Sequence, residues 1–137
     1  MNNTKQNILV VQNYFNAFKK GNMDGVLNAF HKDCLIVSVR QEKRTKQQLH
    51  GTYKTKEEAK QFVQNLISYF NPKEFVIDKI IGDKEIVFSN GSFVHQLKST
   101  NKIFKSDWAQ RCIVQDGKIK EYRFYEDSAA FVEAFKQ

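Results

Sequence analysis

The sequence has few cysteines, histidines and prolines. Its two cysteines, Cys34 and Cys112, lie far apart, and neither has a metal-ligand spacing around it. His31, His50 and His95 are scattered along the chain. With 137 residues the chain can bury a core without disulfide or metal support, which chains of about 40 residues or fewer usually need. We therefore expect two buried thiols in a reducing compartment, no metal and no cofactor.

Long apolar runs are also missing. The run from Ile8 to Val11 is too short for a secretory signal, which needs about 7–15 apolar residues, or for a membrane span, which needs about 20. The phosphate-binding and nucleophile motifs GxxxxGK[ST], GxGxxG and GxSxG do not occur. The sequence predicts one domain over residues 1–137, located in the cytoplasm and without membrane contact.

Basic residues outnumber acidic ones, 22 to 15, and the formal net charge is +7. Such an excess is typical of proteins that bind nucleic acid or anionic lipid. Many of the basic residues lie between positions 40 and 60, where Tyr53 is the one aromatic residue besides His50. A nucleic-acid surface needs exposed aromatics among its cations, so nucleic-acid binding is the weaker interpretation. We favour a solvated surface, with the alternative that residues 40–54 attract an anionic ligand.

The first half of the sequence is mainly helical in pattern. Apolar residues recur at helical spacing over residues 4–20, and Asn22 is suited to cap a second short helix. Residues 34–40 are short, apolar and β-branched, which is typical of a strand, and 41–54 predict a loop or ragged hairpin. A third helix should begin at the capping box of residues 55–58.

After Asn71-Pro72, which we expect to end the third helix, the apolar period changes from 3.6 to 2. The predicted strands are 75–81, 85–98 with a loosening at Asn90-Gly91, 103–114 and 118–125. Asp116-Gly117 is a strong hairpin signal, and Asp127 or Ser128 can cap a last short helix.

This order of elements predicts the α+β class. A long antiparallel meander twists and curls, and the helices must cover its concave face. We expect a cone-shaped fold, in which a curved antiparallel (mixed) sheet wraps around the N-terminal helices. Such a fold leaves one internal pocket, and pockets of this kind bind ligands.

Two stretches carry a family resemblance. They are VVQNYFNAFKKGNMDGVLNAFHKDC at residues 10–34 and DWAQRCIVQDGKIKEYRFYEDSAAFVEAF at residues 107–135. With the order of elements, they resemble the opening helices and closing hairpin of SnoaL-like and ketosteroid-isomerase-like proteins, in the nuclear transport factor 2-like superfamily. The resemblance implies the fold described above and a homodimer. It leaves function open, because the superfamily includes isomerases, polyketide cyclases, epoxide hydrolases, dehydratases and members of no known activity.

The resemblance implies roles for three positions. Tyr14 matches the tyrosine with which ketosteroid isomerases donate a hydrogen bond to the enolate, although an ordinary core aromatic is the slightly favoured interpretation. Ser38 stands where these enzymes have their carboxylate base, and a hydroxyl near neutral pH cannot replace that base. Gln110 stands at the second hydrogen-bond donor, and its amide can still donate.

The epoxide hydrolases of the superfamily use an Asp-Arg-Asp set, whose positions fall here at Gly91, Phe93 and Phe124. The resemblance therefore argues against epoxide hydrolysis. His95 and Asp107 lie on neighbouring predicted strands and offer a base with a carboxylate that orients it. The favoured interpretation of this pair is simpler, an exposed strand histidine and a charge at a strand end.

By strand alternation, one strip of side chains should face the pocket together with Tyr14. The strip consists of Ile36, Ser38, Arg40, Trp108, Gln110, Tyr122 and Phe124. We expect it to bind a small hydrophobic molecule that is carbonyl-containing or anionic, without the carboxylate catalysis usual in the family. The alternative is an isomerase, polyketide cyclase or dehydratase-type lyase acting on a hydrophobic carbonyl compound. Tyr14 and Gln110 would then hold the carbonyl oxygen, and His95 or Asp107 would move the proton.

Overall fold

The computed structural model describes residues 3–137 and has the predicted α+β class. Its elements are α1 (Thr4–Lys19), α2 (Met23–Asn28), β1 (Phe30–Ser38), β2 (Gly51–Lys54), α3 (Thr55–Tyr69), β3 (Phe70–Asp83), β4 (Ile86–Leu97), β5 (Ile103–Gln115), β6 (Lys118–Glu126) and α4 (Ser128–Phe135). Within this part of the chain, no helix combines the length and the apolar character needed to cross a membrane.

The six strands form one mixed sheet in the order β2-β1-β6-β5-β4-β3. The long meander β3 to β6 is antiparallel, as predicted, and β1 adds to it by pairing with β6 in parallel. The sheet is not closed, because β2 and β3 lie at its two edges. α1 packs against β3, β4, β5 and β6, and α3 packs against β1, β2 and β3. The N-terminal helices therefore cover the face of the sheet that carries the core.

Several predicted ends and turns are confirmed. Asn22 caps α2, since its side-chain oxygen accepts a hydrogen bond from the Gly25 N–H at 3.0 Å. Asp127 caps α4 in the same way, by accepting from the Ala130 N–H at 3.0 Å. Asp116-Gly117 forms the β5–β6 turn with φ values of 54° and 73°, the left-handed conformation that a two-residue hairpin of this type requires.

The capping box at the start of α3 is only half formed. Glu58 accepts a hydrogen bond from the backbone N–H of Lys54 at 2.7 Å, one residue before the N–H that the predicted box would use. The N-cap is Lys54 rather than Thr55, and no side chain caps the helix there. Thr55 has a φ of 68°, so the chain enters α3 through a left-handed residue.

The strand prediction was too short at β3, and the loosening predicted in β4 at Asn90-Gly91 is confirmed as a shift in the β3–β4 register. β3 begins at Phe70, so Asn71 and Pro72 lie within the strand rather than in a helix stop. Pro72 is tolerated because β3 is an edge strand and its pairing with β4 shifts register directly after Pro72. β4 is continuous through Gly91, but its pairing with β3 shifts register there, between Ile77 and Lys79. Gly91 lets the Val76 carbonyl and the Trp108 ring approach the backbone.

Aromatic side chains dominate the core. Tyr14 and Phe15 of α1 meet Phe75, Trp108 and Tyr122 of the sheet at ring-centroid distances of 5.3–5.8 Å. Burial alternates along β4 and β5, so every second side chain of these strands points into this core. Cys34 and Cys112 are free and buried, and burial raises the pKa of both thiols.

Candidate functional site

A small cavity lies between α1, α3 and the inner face of the sheet. Its volume is about 40 Å³, which is room for about one water molecule. It is lined by Tyr14, Phe15, Phe18, Ser38, Leu49, Phe62, Leu66, Phe70, Phe75, Phe93, His95, Tyr122, Phe124 and Glu126. The expected internal pocket is therefore almost filled by the aromatic side chains that surround it.

A larger cleft of about 550 Å³ opens to the surface where the C-terminal ends of α1 and α3 meet the start of β3. Five side chains line both the cleft and the inner cavity, namely Phe18, Leu66, Phe70, Phe75 and His95. These shared side chains form the wall between the two spaces. A molecule in the cleft would reach the cavity by displacing one of them.

His95 is the polar member of this wall. It points inward from β4, is 5% exposed and stacks between Phe70 and Phe93, with ring-centroid distances of 4.7 and 4.2 Å. Its Nδ1 atom is buried and has no hydrogen-bond partner among residues 3–137. Burial lowers the pKa of His95 to about 4, so the imidazole is neutral at pH 7. The exposed strand histidine favoured from the sequence was wrong.

Tyr14 and Tyr122 are joined across the cavity. The Tyr14 hydroxyl donates a hydrogen bond to the Tyr122 hydroxyl at 3.1 Å, and both side chains are buried. Burial raises the pKa of both phenols, so both remain protonated at neutral pH. The hydrogen of the Tyr14 hydroxyl forms this bond, and the hydrogen of the Tyr122 hydroxyl remains to be donated.

Gln110 and Trp108 point to the core from β5 but do not line the cavity. Gln110 is 1% exposed, and its Oε1 accepts a hydrogen bond from the Ser89 hydroxyl at 3.0 Å. Its side chain also interacts with the Tyr122 hydroxyl, although its buried Nε2 has no partner of good hydrogen-bond geometry among residues 3–137. Trp108 packs on Phe75 and Phe124 at centroid distances of 5.1 and 5.3 Å. The two residues stand directly behind the cavity wall.

The structure does not bring the rest of the predicted strip to the cavity. Ile36 is fully buried in the core, and Arg40 is exposed in an ion pair with Glu42 at 3.0 Å. Arg40 lies beyond the end of β1, so strand alternation no longer fixes its direction. His95 and Asp107 do not form the expected pair. Asp107 is exposed on the outer face of β5, whereas His95 is buried on the inner face of β4.

Two functional candidates were missed from the sequence, Glu126 and His50. Glu126 lines the cavity, and its Oε2 atom lies 3.2 Å from the Nε2 atom of His50. The side chains are 7% and 8% exposed, and within the described part of the chain neither atom has a partner in hydrogen-bond geometry. The alternation Tyr122, Phe124, Glu126 could have indicated the carboxylate. His50 lies just before β2, in a stretch whose sequence pattern predicts no direction for it.

The basic segment of residues 40–60 folds onto its own aromatic residue. The Arg44 guanidinium carbon lies 3.3 Å from the centroid of the Tyr53 ring, and Arg44 Nη2 donates to Gln61 Oε1 at 2.9 Å. Tyr53 itself is fully buried. Its ring is therefore not offered to a nucleic-acid base.

The family model of the SnoaL-like domain matches residues 11–122, which is most of the chain. The chain belongs to this family. Its strand order and its N-terminal helices are those of the nuclear transport factor 2-like fold, as the recognised stretches implied. No curated protein matches the sequence.

Solved structures resemble this SnoaL-like domain over nearly its full length. An NTF2-like protein from Burkholderia xenovorans LB400 has a TM-score of 0.84 and 22% identity, and the match covers 99% of this chain and 100% of that one. A putative SnoaL-like polyketide cyclase from Jannaschia sp. CCS1 has a TM-score of 0.78 and 14% identity, and the match covers 96% of this chain and 92% of that one. TerC, co-crystallised with polyporic acid, has a TM-score of 0.74 and 21% identity, and the match covers 94% of this chain and 97% of that one. At these identities the likeness shows the fold.

Proposed function

We propose that this SnoaL-like domain binds a small hydrophobic molecule in the cleft, with one polar group of that molecule hydrogen-bonded to Nδ1 of His95. One observation carries the proposal. A buried imidazole nitrogen without a partner lies in the wall that the cleft and the inner cavity share. Such an atom costs free energy in the unliganded protein, and a ligand that satisfies it recovers that cost.

The cleft is suited to an apolar body. Phe18, Phe70 and Phe75 supply flat surfaces at its inner end, and Leu66 and Met23 add aliphatic surface. Ligand sites are mostly apolar with a few polar groups that fix orientation, and this lining follows that pattern. The co-crystallisation of TerC with polyporic acid is in keeping with a small-molecule ligand.

The outer rim of the cleft favours a negatively charged ligand group. Lys19, Lys73 and Lys98 line the cleft against one acidic residue, Glu74, and all four are exposed. A carboxylate or enolate attached to the apolar body would gain from these cations, in a manner that salt screens. The anionic ligand first expected at residues 40–54 is therefore placed, in this proposal, at a different set of lysines.

The single tryptophan offers a direct test. Trp108 stacks on Phe75, which lines both the cleft and the cavity, so a ligand that moves Phe75 should change tryptophan fluorescence. We expect saturable titrations with β-naphthoate and with the neutral ketone β-tetralone, and only the naphthoate affinity should fall with salt. His95→Phe should weaken both by about 5- to 10-fold, the loss of one hydrogen bond.

A matched control is His31→Phe, because His31 lies on β1 and lines neither the cleft nor the cavity. This variant should bind both compounds like the wild type. Equal affinity in wild type and His95→Phe would contradict the role of Nδ1, and absence of saturation with both compounds would contradict the proposed site.

A second candidate function, an isomerase- or lyase-type enzyme, is favoured by one observation. The carboxylate missing at Ser38 has a counterpart elsewhere in the cavity lining, at Glu126. The expected homodimer and the weaker alternative of nucleic-acid binding stay predictions. Native mass spectrometry tests the first, and a mobility-shift titration at near-physiological salt tests the second.

A further inference from the structure

Glu126 and His50 connect two separate spaces. Glu126 lines the inner cavity, whereas His50 lines a surface groove of about 770 Å³ beside α4. Leu49 lines both spaces, so the partition between them is thin at this point. The groove shares no lining residue with the cleft. The pair therefore stands between the cavity and a second region of solvent.

We propose that Glu126 and His50 form a proton path. A carbonyl compound bound in the cleft displaces a side chain of the shared wall, so that only its α-carbon end enters the cavity, and the proton taken from that carbon exchanges with solvent in the α4 groove. The proposal rests on the proposed function, because only a bound molecule can bring its proton to the cavity. It also deepens the enzymatic alternative by naming the proton-transferring residue and the route of the proton.

The arrangement differs from that of a purely structural ion pair. Buried charges are stable when they are paired and hydrogen-bonded. Here Oε2 and Nε2 lie 3.2 Å apart, yet neither atom has a partner in hydrogen-bond geometry. A small rotation of either side chain would align them for transfer. Phe131 stacks on the His50 ring at 4.1 Å and limits how far the imidazole can turn.

Proton transfer begins at Glu126. The Glu126 carboxylate takes a proton from the carbon next to the ligand's carbonyl group. The C–H bond breaks, an O–H bond forms on Glu126, and the electron pair moves to the carbonyl oxygen to give an enolate. Glu126 then passes this proton to His50 Nε2, while the imidazole gives one to solvent in the groove. Return of a solvent proton by the same route to the carbon regenerates the ketone with one hydrogen exchanged.

The experiment follows exchange of the α-hydrogens of β-tetralone in deuterium oxide by proton NMR, above the uncatalysed rate. Wild type should accelerate exchange, and Glu126→Gln should lose about 100-fold or more, the usual contribution of a general base. Asp78→Asn is the matched control, since Asp78 is an exposed residue of β3 that lines neither the cavity, the cleft nor the α4 groove. It should exchange like the wild type.

His50 acts through Glu126 and is a positioning residue. His50→Gln should lower kcat for exchange by about 10-fold with KM unchanged, whereas a merely structural role would alter KM and thermal stability as well. If Glu126→Gln does not fold, Glu126→Asp serves instead, since it keeps the carboxylate and should retain measurable exchange.

Equal exchange in wild type and Glu126→Gln, or no exchange above the uncatalysed rate, would overturn the proton path. Trp108 fluorescence with the same ketone separates the two proposals. Saturable binding without exchange leaves the ligand site standing, and absence of both contradicts both.

Discussion

The hydroxyl of Tyr14 on α1 donates a hydrogen bond of 3.1 Å to the hydroxyl of Tyr122 on β6, in a fully buried setting. This bond joins the first helix to the last strand, which are 108 positions apart in the sequence. It thereby ties the covering helix to the sheet on one side of the cavity. The Tyr122 oxygen satisfies the Tyr14 donor, so removal of either hydroxyl breaks this bond.

Removing one hydroxyl of this pair should destabilise the fold. Tyr14→Phe leaves the Tyr122 hydroxyl buried without this partner, and we expect a loss of about 1–2 kcal/mol in the free energy of unfolding. Tyr122→Phe should cost a similar amount, and the double variant less than the sum, by about 1 kcal/mol. Urea unfolding of the four proteins measures this. Strict additivity would show that the hydroxyls are not coupled.

His95 should make the fold sensitive to acid. Burial lowers its pKa from 6.5 to about 4, so between these values the unfolded chain binds a proton that the folded chain does not. The free energy of unfolding should therefore fall as pH drops from 6.5 towards 4, by up to about 3 kcal/mol. His95→Phe should remove most of this dependence. Equal pH dependence in both proteins, measured by urea unfolding, would contradict the assignment.

Gly91 should not tolerate a side chain. A Cβ atom there would overlap the Val76 carbonyl oxygen and approach Trp108 Cζ2 at 2.9 Å. The Val76 oxygen belongs to the backbone, so it cannot move aside as a flexible side chain would. We expect Gly91→Ala to cost about 3 kcal/mol or more, or to prevent folding. Gly117→Ala is the control, since its Cβ meets open space and only a φ of 73° opposes it, at about 1 kcal/mol. Circular dichroism melts that rank the two variants equally would refute this account.

Within the basic segment, Arg44 should matter for stability and Lys43 should not. Arg44 lies over the Tyr53 ring and bonds Gln61, so Arg44→Gln should cost about 1–2 kcal/mol. Lys43 is exposed, and Lys43→Gln should stay within about 0.5 kcal/mol of the wild type. Thermal unfolding compares them. A larger loss at Lys43 would indicate that the segment's charge, rather than the packing of Arg44, stabilises it.

Local sequence patterns predicted most of the elements for physical reasons. Helical spacing indicated α1 and α3, and strand alternation with the Asp116-Gly117 turn indicated β5 and β6. These patterns depend on neighbouring residues alone, and in the folded chain the tertiary contacts favour the same helices and strands. The extension of β3 back to Phe70 could not be predicted, because the edge position that tolerates Pro72 depends on strand order.

The site was harder to predict than the fold. Tyr14, Ser38, Tyr122 and Phe124 line the cavity as predicted, because strand alternation and the first helix fix their direction. His95 lines it as well, although the sequence favoured an exposed histidine. The cavity volume depends on how aromatic side chains from five separate elements fill it, and no local pattern contains that information. Nor can spacing bring together His50 and Glu126, which are distant in sequence and meet only in the folded chain.

The most direct test of the ligand site is NMR titration of the backbone amides with β-naphthoate. The account predicts that the largest shift changes fall on the cleft lining, at Lys19, Phe70, Phe75, His95 and Lys98, and that they weaken as salt is added. Shift changes confined to residues 41–58 or to the groove beside α4, or no changes at all, would contradict it.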